Sequence, residues 1–288
     1  MEDTIKSNIK TKYIFKSVLF CVVFTGLLVI FSFAKNFIPN EFERLAHGII
    51  GTLAALLTTV LFLKFDRSQF SDIGLVFERN TIVKFFIGFI TGVIIMGLLV
   101  TGVIYFTNVK IEVNRGSDLL YFLLVTVPIL PLAFMEELAF RAYPLEILKD
   151  KIGIRLSILL ISILFALYHI VNGWTIASIF LGPAIWGLIF GLAAIYSKGI
   201  AMPTGIHYAV NLTTAAFGAK NYPVSIWAIK SNHPTATYPG IDWATILPPL
   251  VLLIFAVVCI EVYMKRKTTA NNTLAKAGLP KEQSAPDR

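Results

Sequence analysis

The sequence predicts an all-α fold, a polytopic membrane helical bundle with about eight transmembrane helices, each of the ~20 apolar residues that a bilayer requires. Three observations carry that expectation. Of the 288 residues, 56% are hydrophobic and only 15% are charged, against roughly 45–50% and about 25% in soluble domains. A soluble chain of this length must still cover its outside with polar groups, so such an apolar excess needs lipid as solvent. The mean hydropathy of +0.75 is gathered into separate runs. The basic residues lie between those runs, with nineteen of the 25 Lys and Arg in the segments 6–16, 64–84, 141–155, 198 and 265–288.

The runs are 13–34, 46–63, 82–107, 119–141, 156–171, 174–196, 201–217 and 244–264. Lys6, Lys10, Lys12 and Lys16 precede the first, whose apolar stretch exceeds the roughly 7–15 residues of a signal core and therefore reads as a retained anchor. The second, third and sixth contain Gly48 and Gly51, Gly88 and Gly92, and Gly187 and Gly191, spacings that permit close helix contact. The fifth and seventh runs are short and carry polar residues, and Glu261, near the end of the eighth, reads as snorkelling to the interface or pairing with Lys265 one turn on. Eight spans place both termini on one side, and the excess of Lys and Arg there makes that side cytoplasmic. The chain then divides into a cytoplasmic segment 1–12, a membrane domain 13–267 and a polar, disordered cytoplasmic tail 268–288.

The net charge of +8 does not point to nucleic acid, because no basic, aromatic-studded domain gathers it. Cys21 and Cys259 lie in apolar runs without zinc-type or redox spacing and read as packing residues. His47 opens the second run and reads as solvated or interfacial, as does His233 in the loop 218–242, itself a cap over the bundle.

Ionisable groups inside the spans are informative, since burying one in lipid costs at least about 2.5–3.5 kcal/mol. Glu136, Glu137 and Arg141 end the fourth run, His169 ends the fifth, and His207 and Asn211 share a face of the seventh. Glu137 and Arg141, at i and i+4, can form an ion pair. Glu136 is then left available in a low dielectric, where a carboxylate suits a general base. Glu136 lies 17 residues before the turn at Gly153 and His169 lies 16 after it, so two antiparallel helices bring them to one depth. His207 counts as shallower by roughly 10 Å, a mismatch that closes if 144–151 protrudes as a polar helical extension.

Glu136-Glu137-x-x-x-Arg141, Phe165-x-x-x-His169 and His207-x-x-x-Asn211, in this order on separate apolar helices, resemble the CPBP family of intramembrane proteases. That family holds the CAAX prenyl protease 2 (type II CAAX endopeptidase) enzymes and the bacteriocin-processing or immunity proteins. The resemblance implies an endopeptidase site within the membrane, opening toward the cytoplasm. Glu136 would activate water, Glu137 and Arg141 would support it, and His169, His207 and Asn211 would complete the polar wall. The substrate would be a peptide or a lipidated protein in the bilayer. The family's metalloprotease label would make His169, His207 and Glu136 candidate ligands for a divalent metal such as zinc. No H-E-x-x-H stands on one helix, so metal-free glutamate catalysis and a metal-bound water both stay open, the metal-free chemistry being slightly favoured. A non-hydrolytic peptide-binding or immunity protein is the alternative, and a proton-relay transporter would need inverted repeats that the sequence lacks.

Overall fold

The computed structural model describes residues 2–106, 109–218, 224–231 and 243–276. Eleven α-helices account for most of them, and six helical stretches are long and apolar enough to cross a membrane. Helix α1 (Glu2–Ser32) begins before the first apolar run. It is followed by α2 (Glu43–Asp66) and α3 (Thr81–Phe106). The fourth apolar stretch is one span in three pieces, α4 (Leu119–Thr126), α5 (Ile129–Glu137) and α6 (Tyr143–Ile152), with a π-helical turn at Leu138–Ala142 between the last two. Asp118 caps α4 by accepting from the Leu120 and Tyr121 amides at 2.8 and 3.1 Å. Pro128 fits the junction into α5, where its missing N–H would have no helical partner in any case.

Gly153 separates α6 from α7 (Ile154–Tyr168) with φ +86° and ψ 154°, backbone open to glycine alone. The sixth run breaks at Gly182 and Pro183 into α8 (Ile176–Leu181) and α9 (Pro183–Ser197), after which come α10 (Ala201–Ala216) and α11 (Trp243–Lys276). The fifth and seventh runs are thus helices of 15 and 16 residues, shorter than a span needs unaided. All eight apolar runs are helical, and six meet the length and hydropathy of a crossing.

Several expectations change. Two strands, β1 (Val109–Val113) and β2 (Trp227–Ser231), form an antiparallel ribbon within the otherwise helical chain. β2 falls within the stretch 218–242, while His233 lies outside the described residues. The stretch 144–151 is helical but does not protrude freely: Tyr143, Pro144, Leu145 and Leu148 are buried, and the Ser17 hydroxyl donates to the Pro144 carbonyl at 3.2 Å. Its alternation of apolar and charged residues gives it a packed face as well as a solvated one. Helix α11 continues to Lys276, into the tail expected to be disordered. Glu261 pairs with Arg155, at 2.6 and 2.7 Å in a two-pronged contact, instead of with Lys265. A guanidinium matches both carboxylate oxygens, which an ammonium on the same helix does not.

Small residues set the helix spacing. A Cβ at Gly51 would stand 1.8 Å from the Met135 sulfur, and one at Gly48 would stand 3.0 Å from Pro131, so α2 lies directly on α5. Gly88 and Gly92 of α3 meet the backbone of Met202 and Ile206 on α10, and Gly205 of α10 meets the Phe85 carbonyl in return. Gly187 and Gly191 of α9 fit against Ser162 and Ile158 of α7. The outward faces stay apolar, as with Phe86, Ile90 and Ile94 on α3 and Ile254, Val257 and Val258 on α11. Such faces require a lipid surround, and helices that satisfy their own backbone groups suit one.

Candidate active site

Helix α5 ends on Glu136 and Glu137, and the π-helical turn that follows carries Arg141. π-helical insertions are rare and cluster at functional sites. Glu137 and Arg141 are fully buried and pair through Nε and Oε2 at 3.4 Å, and through Nη1 and Oε1 at 3.4 Å. A guanidinium without water needs more than one long ion pair. Arg141 finds it over the ring of Phe165, 4.1 Å from the centroid, with Phe190 at 5.4 Å and Phe140 at 5.9 Å. Cation–π attraction strengthens when the cation is desolvated.

His207 reaches this pair from α10. Its Nδ1 is 2.8 Å from Glu137 Oε1, and its Nε2 is 3.5 Å from Glu136 Oε2. A carboxylate only accepts, so Nδ1 donates to Glu137 and the other ring nitrogen is turned toward Glu136. The imidazole also lies flat on Phe190, with centroids 4.5 Å apart and planes within 17°. The side chain of Glu136 is 13% exposed, whereas that of Glu137 is wholly enclosed. Of the two adjacent acids, one is bound up in charge pairs and the other is partly exposed.

The roughly 10 Å offset expected for His207 does not exist, since its Nε2 approaches Glu136 directly. Depth counted back from Gly153 assumes one straight helix, and the π-helical turn sets α6 apart from α5. His169 is buried at the end of α7, and its Nδ1 donates to the Phe165 carbonyl at 2.8 Å. The Phe165 ring meets both imidazoles edge to face, with centroids 4.8 Å from His169 and 6.1 Å from His207. Asn211 is half-buried one turn beyond His207 on α10. The structure therefore joins Glu136, Glu137, Arg141 and His207 directly, brings His169 in through Phe165, and leaves Asn211 on the neighbouring turn.

The candidate metal ligands His169, His207 and Glu136 do not converge as a donor set, and no group of three or more His, Cys, Asp or Glu among the described residues is arranged to hold a metal ion. His207 Nδ1 and His169 Nδ1 are both committed to oxygen acceptors, which leaves Nε2 of each ring as the nitrogen that could meet a ligand. Glu137 is likewise committed, to Arg141 and His207.

Two features escape the sequence reading. Phe190, which supports both Arg141 and His207, is one aromatic in an apolar helix; the glycines on either side of it, which let α9 approach α7, are the only hint of its place. His47 is not simply solvated: its Nδ1 is buried without a hydrogen-bond partner.

Comparison with known proteins places this arrangement. Residues 117–213 match the family model described as type II CAAX prenyl endopeptidase Rce1-like. No curated protein matches the chain. The matched segment runs from the start of α4 into α10 and contains all six residues, Glu136, Glu137, Arg141, His169, His207 and Asn211. The segment that builds the cluster is thus similar to the Rce1-like type II CAAX prenyl endopeptidases, over about a third of the chain.

Proposed function

We propose that the protein is an intramembrane endopeptidase that hydrolyses a peptide bond of a membrane-associated or lipid-modified substrate, with Glu136 activating the water. The observation that carries this reading is His207 bridging two glutamates, at 2.8 Å to Glu137 and 3.5 Å to Glu136. With Nδ1–H donated to Glu137, a neutral His207 would turn a lone pair toward a Glu136 carboxylate. That contact is repulsive unless a proton lies between the two groups. Glu136 and His207 thus face each other at the partly exposed edge of the cluster.

Hydrolysis needs a base for the water, donors for the oxyanion and an acid for the leaving amine. Glu136 takes the proton from water and later delivers it to the amine. Glu137, neutralised by Arg141, fixes the tautomer and plane of His207. His207, His169 and Asn211 supply donors toward the developing oxyanion. Closely packed apolar helices keep bulk water out, so these few dipoles act in a low dielectric. The bundle end that carries Lys16, Arg155 and Lys265 faces the cytoplasm, as its concentration of basic residues favours.

The test is cleavage of lipidated and unmodified peptides by the purified, reconstituted protein, comparing wild type with Glu136→Gln, each with and without chelator. Wild-type cleavage that survives chelation, with a loss of about 100-fold or more in Glu136→Gln, is expected for a group that transfers a proton. Undiminished cleavage by Glu136→Gln overturns the assignment of the base. Wild type that binds peptide but never cuts it favours the non-hydrolytic alternative.

A further inference from the structure

We propose that the apolar cavity between α3, α9, α10 and α11 is a site for one acyl chain of a bilayer phospholipid, with the head group beside the β-ribbon. The inference goes beyond the endopeptidase reading and does not depend on it. The cavity holds about 310 Å³, with Val100 of α3, Trp186 of α9, Thr214 of α10 and Leu252 of α11 in its walls. That volume lies in the range of sites for small organic ligands. Apart from the Trp186 indole, the one polar side chain in the lining is Thr214, whose hydroxyl donates to the Val210 carbonyl at 2.8 Å. A held water needs several polar partners, so this lining favours hydrocarbon. Neither Glu136 nor His207 contributes to it. Phe190 links the two places, stacked on Trp186 with centroids 5.8 Å apart and on His207 at 4.5 Å.

Two observations say what enters. Ile104 of α3 and Leu181 of α8 belong to the lining and are 44% and 41% exposed, so the cavity runs into the apolar outward surface of the bundle. The fluid that meets that surface is lipid chain, not water. The second observation is the ribbon. Ile111 of β1 lines the cavity, and strand alternation turns its neighbours Lys110 and Glu112 to the opposite face. Lys230 stands across from Lys110 and pairs with Glu112 at 2.6 Å, so that face carries two ammonium groups against one carboxylate. On the inner face Trp227 stacks on Phe217, another lining residue, with centroids 4.9 Å apart. A tryptophan beside basic residues marks the level of the lipid head groups. A chain in the cavity then leaves its phosphate at the height of the ribbon, where the surplus ammonium group complements it.

The experiment titrates the full chain, purified in detergent and stripped of lipid, with palmitoyl-oleoyl phosphatidylglycerol, and reads binding by native mass spectrometry and folding by thermal melting. Wild type is expected to retain one phospholipid per chain and to melt at a higher temperature with it. Val100→Trp and Leu181→Trp fill the cavity from two sides and are expected to lose that retention, whereas Ile90→Trp, on the exposed face of α3 and outside the lining, keeps it. Lys110→Gln combined with Lys230→Gln is expected to weaken retention several-fold at low salt. Without any filling variant, phosphatidylglycerol brominated along its chain should quench tryptophan fluorescence more in wild type than in Trp186→Phe. A wild type that retains no phospholipid, folded filling variants that retain it as well as wild type does, or equal quenching in Trp186→Phe overturns the proposal. So does one-for-one displacement of the phospholipid by a lipidated peptide, which would assign the cavity to the lipid of a substrate.

Discussion

Arg141 is a fully buried charge at the molecule's centre, and everything that stabilises it is close by: one carboxylate at 3.4 Å and a ring of phenylalanines. Removing the carboxylate leaves the charge buried without a counter-ion, a loss of about 3–5 kcal/mol where such pairs have been broken. Glu137→Gln should therefore lower the thermal midpoint in detergent markedly, while Glu136→Gln, at the 13% exposed neighbour, should barely move it. Equal midpoints for the two variants would contradict the division of labour between them. This division is legible in the sequence, because i and i+4 spacing alone brings Glu137 to Arg141. The meeting of His207 with both acids is not, since it depends on a π-helical turn that spacing rules do not foresee.

Between elements, glycine decides how near the backbones come. α3 and α10 touch so closely that a Cβ at Gly205 would stand 2.0 Å from the Phe85 carbonyl oxygen, which belongs to backbone and cannot swing aside. Gly205→Ala must separate the two helices, at a cost of about 1–3 kcal/mol for overpacking. Because Gly205 lies two residues from His207, the same change should draw the imidazole away from Glu136. The expected result is a folded protein with a reduced melting point and a disproportionate fall in kcat, read by cleavage and circular dichroism on one sample. The paired glycines at 48 and 51, 88 and 92, and 187 and 191 announce their contacts by spacing. Gly205 does not, for its partner is backbone on another helix. The ribbon is also hidden, because β1 and β2 lie far apart along the chain and each is too short to declare itself.

In the molecule as a whole, the pairings of Tyr143 with Asp66, of Lys151 with Tyr13 and of Arg155 with Glu261 gather the outer ends of α1 and α11 at one end of the bundle. With that end toward the cytoplasm, a cysteine placed at Lys12 or Lys267 in intact cells should resist a membrane-impermeant thiol reagent until the membrane is opened. Labelling before lysis would reverse the orientation. The opposite end carries the ribbon, in which Lys110 stands across from Lys230 and Glu112 pairs with Lys230 at 2.6 Å. Helices close their hydrogen bonds locally and early, but β1 must wait for a strand that emerges only after α4 to α10 have been made. The ribbon is thus a clock for biogenesis. Cysteines at 110 and 230 should cross-link in the finished protein, while the cysteine at 110 stays a free thiol in chains arrested before residue 230 emerges, so that disulfide formation dates the moment at which α4 to α10 have all been made.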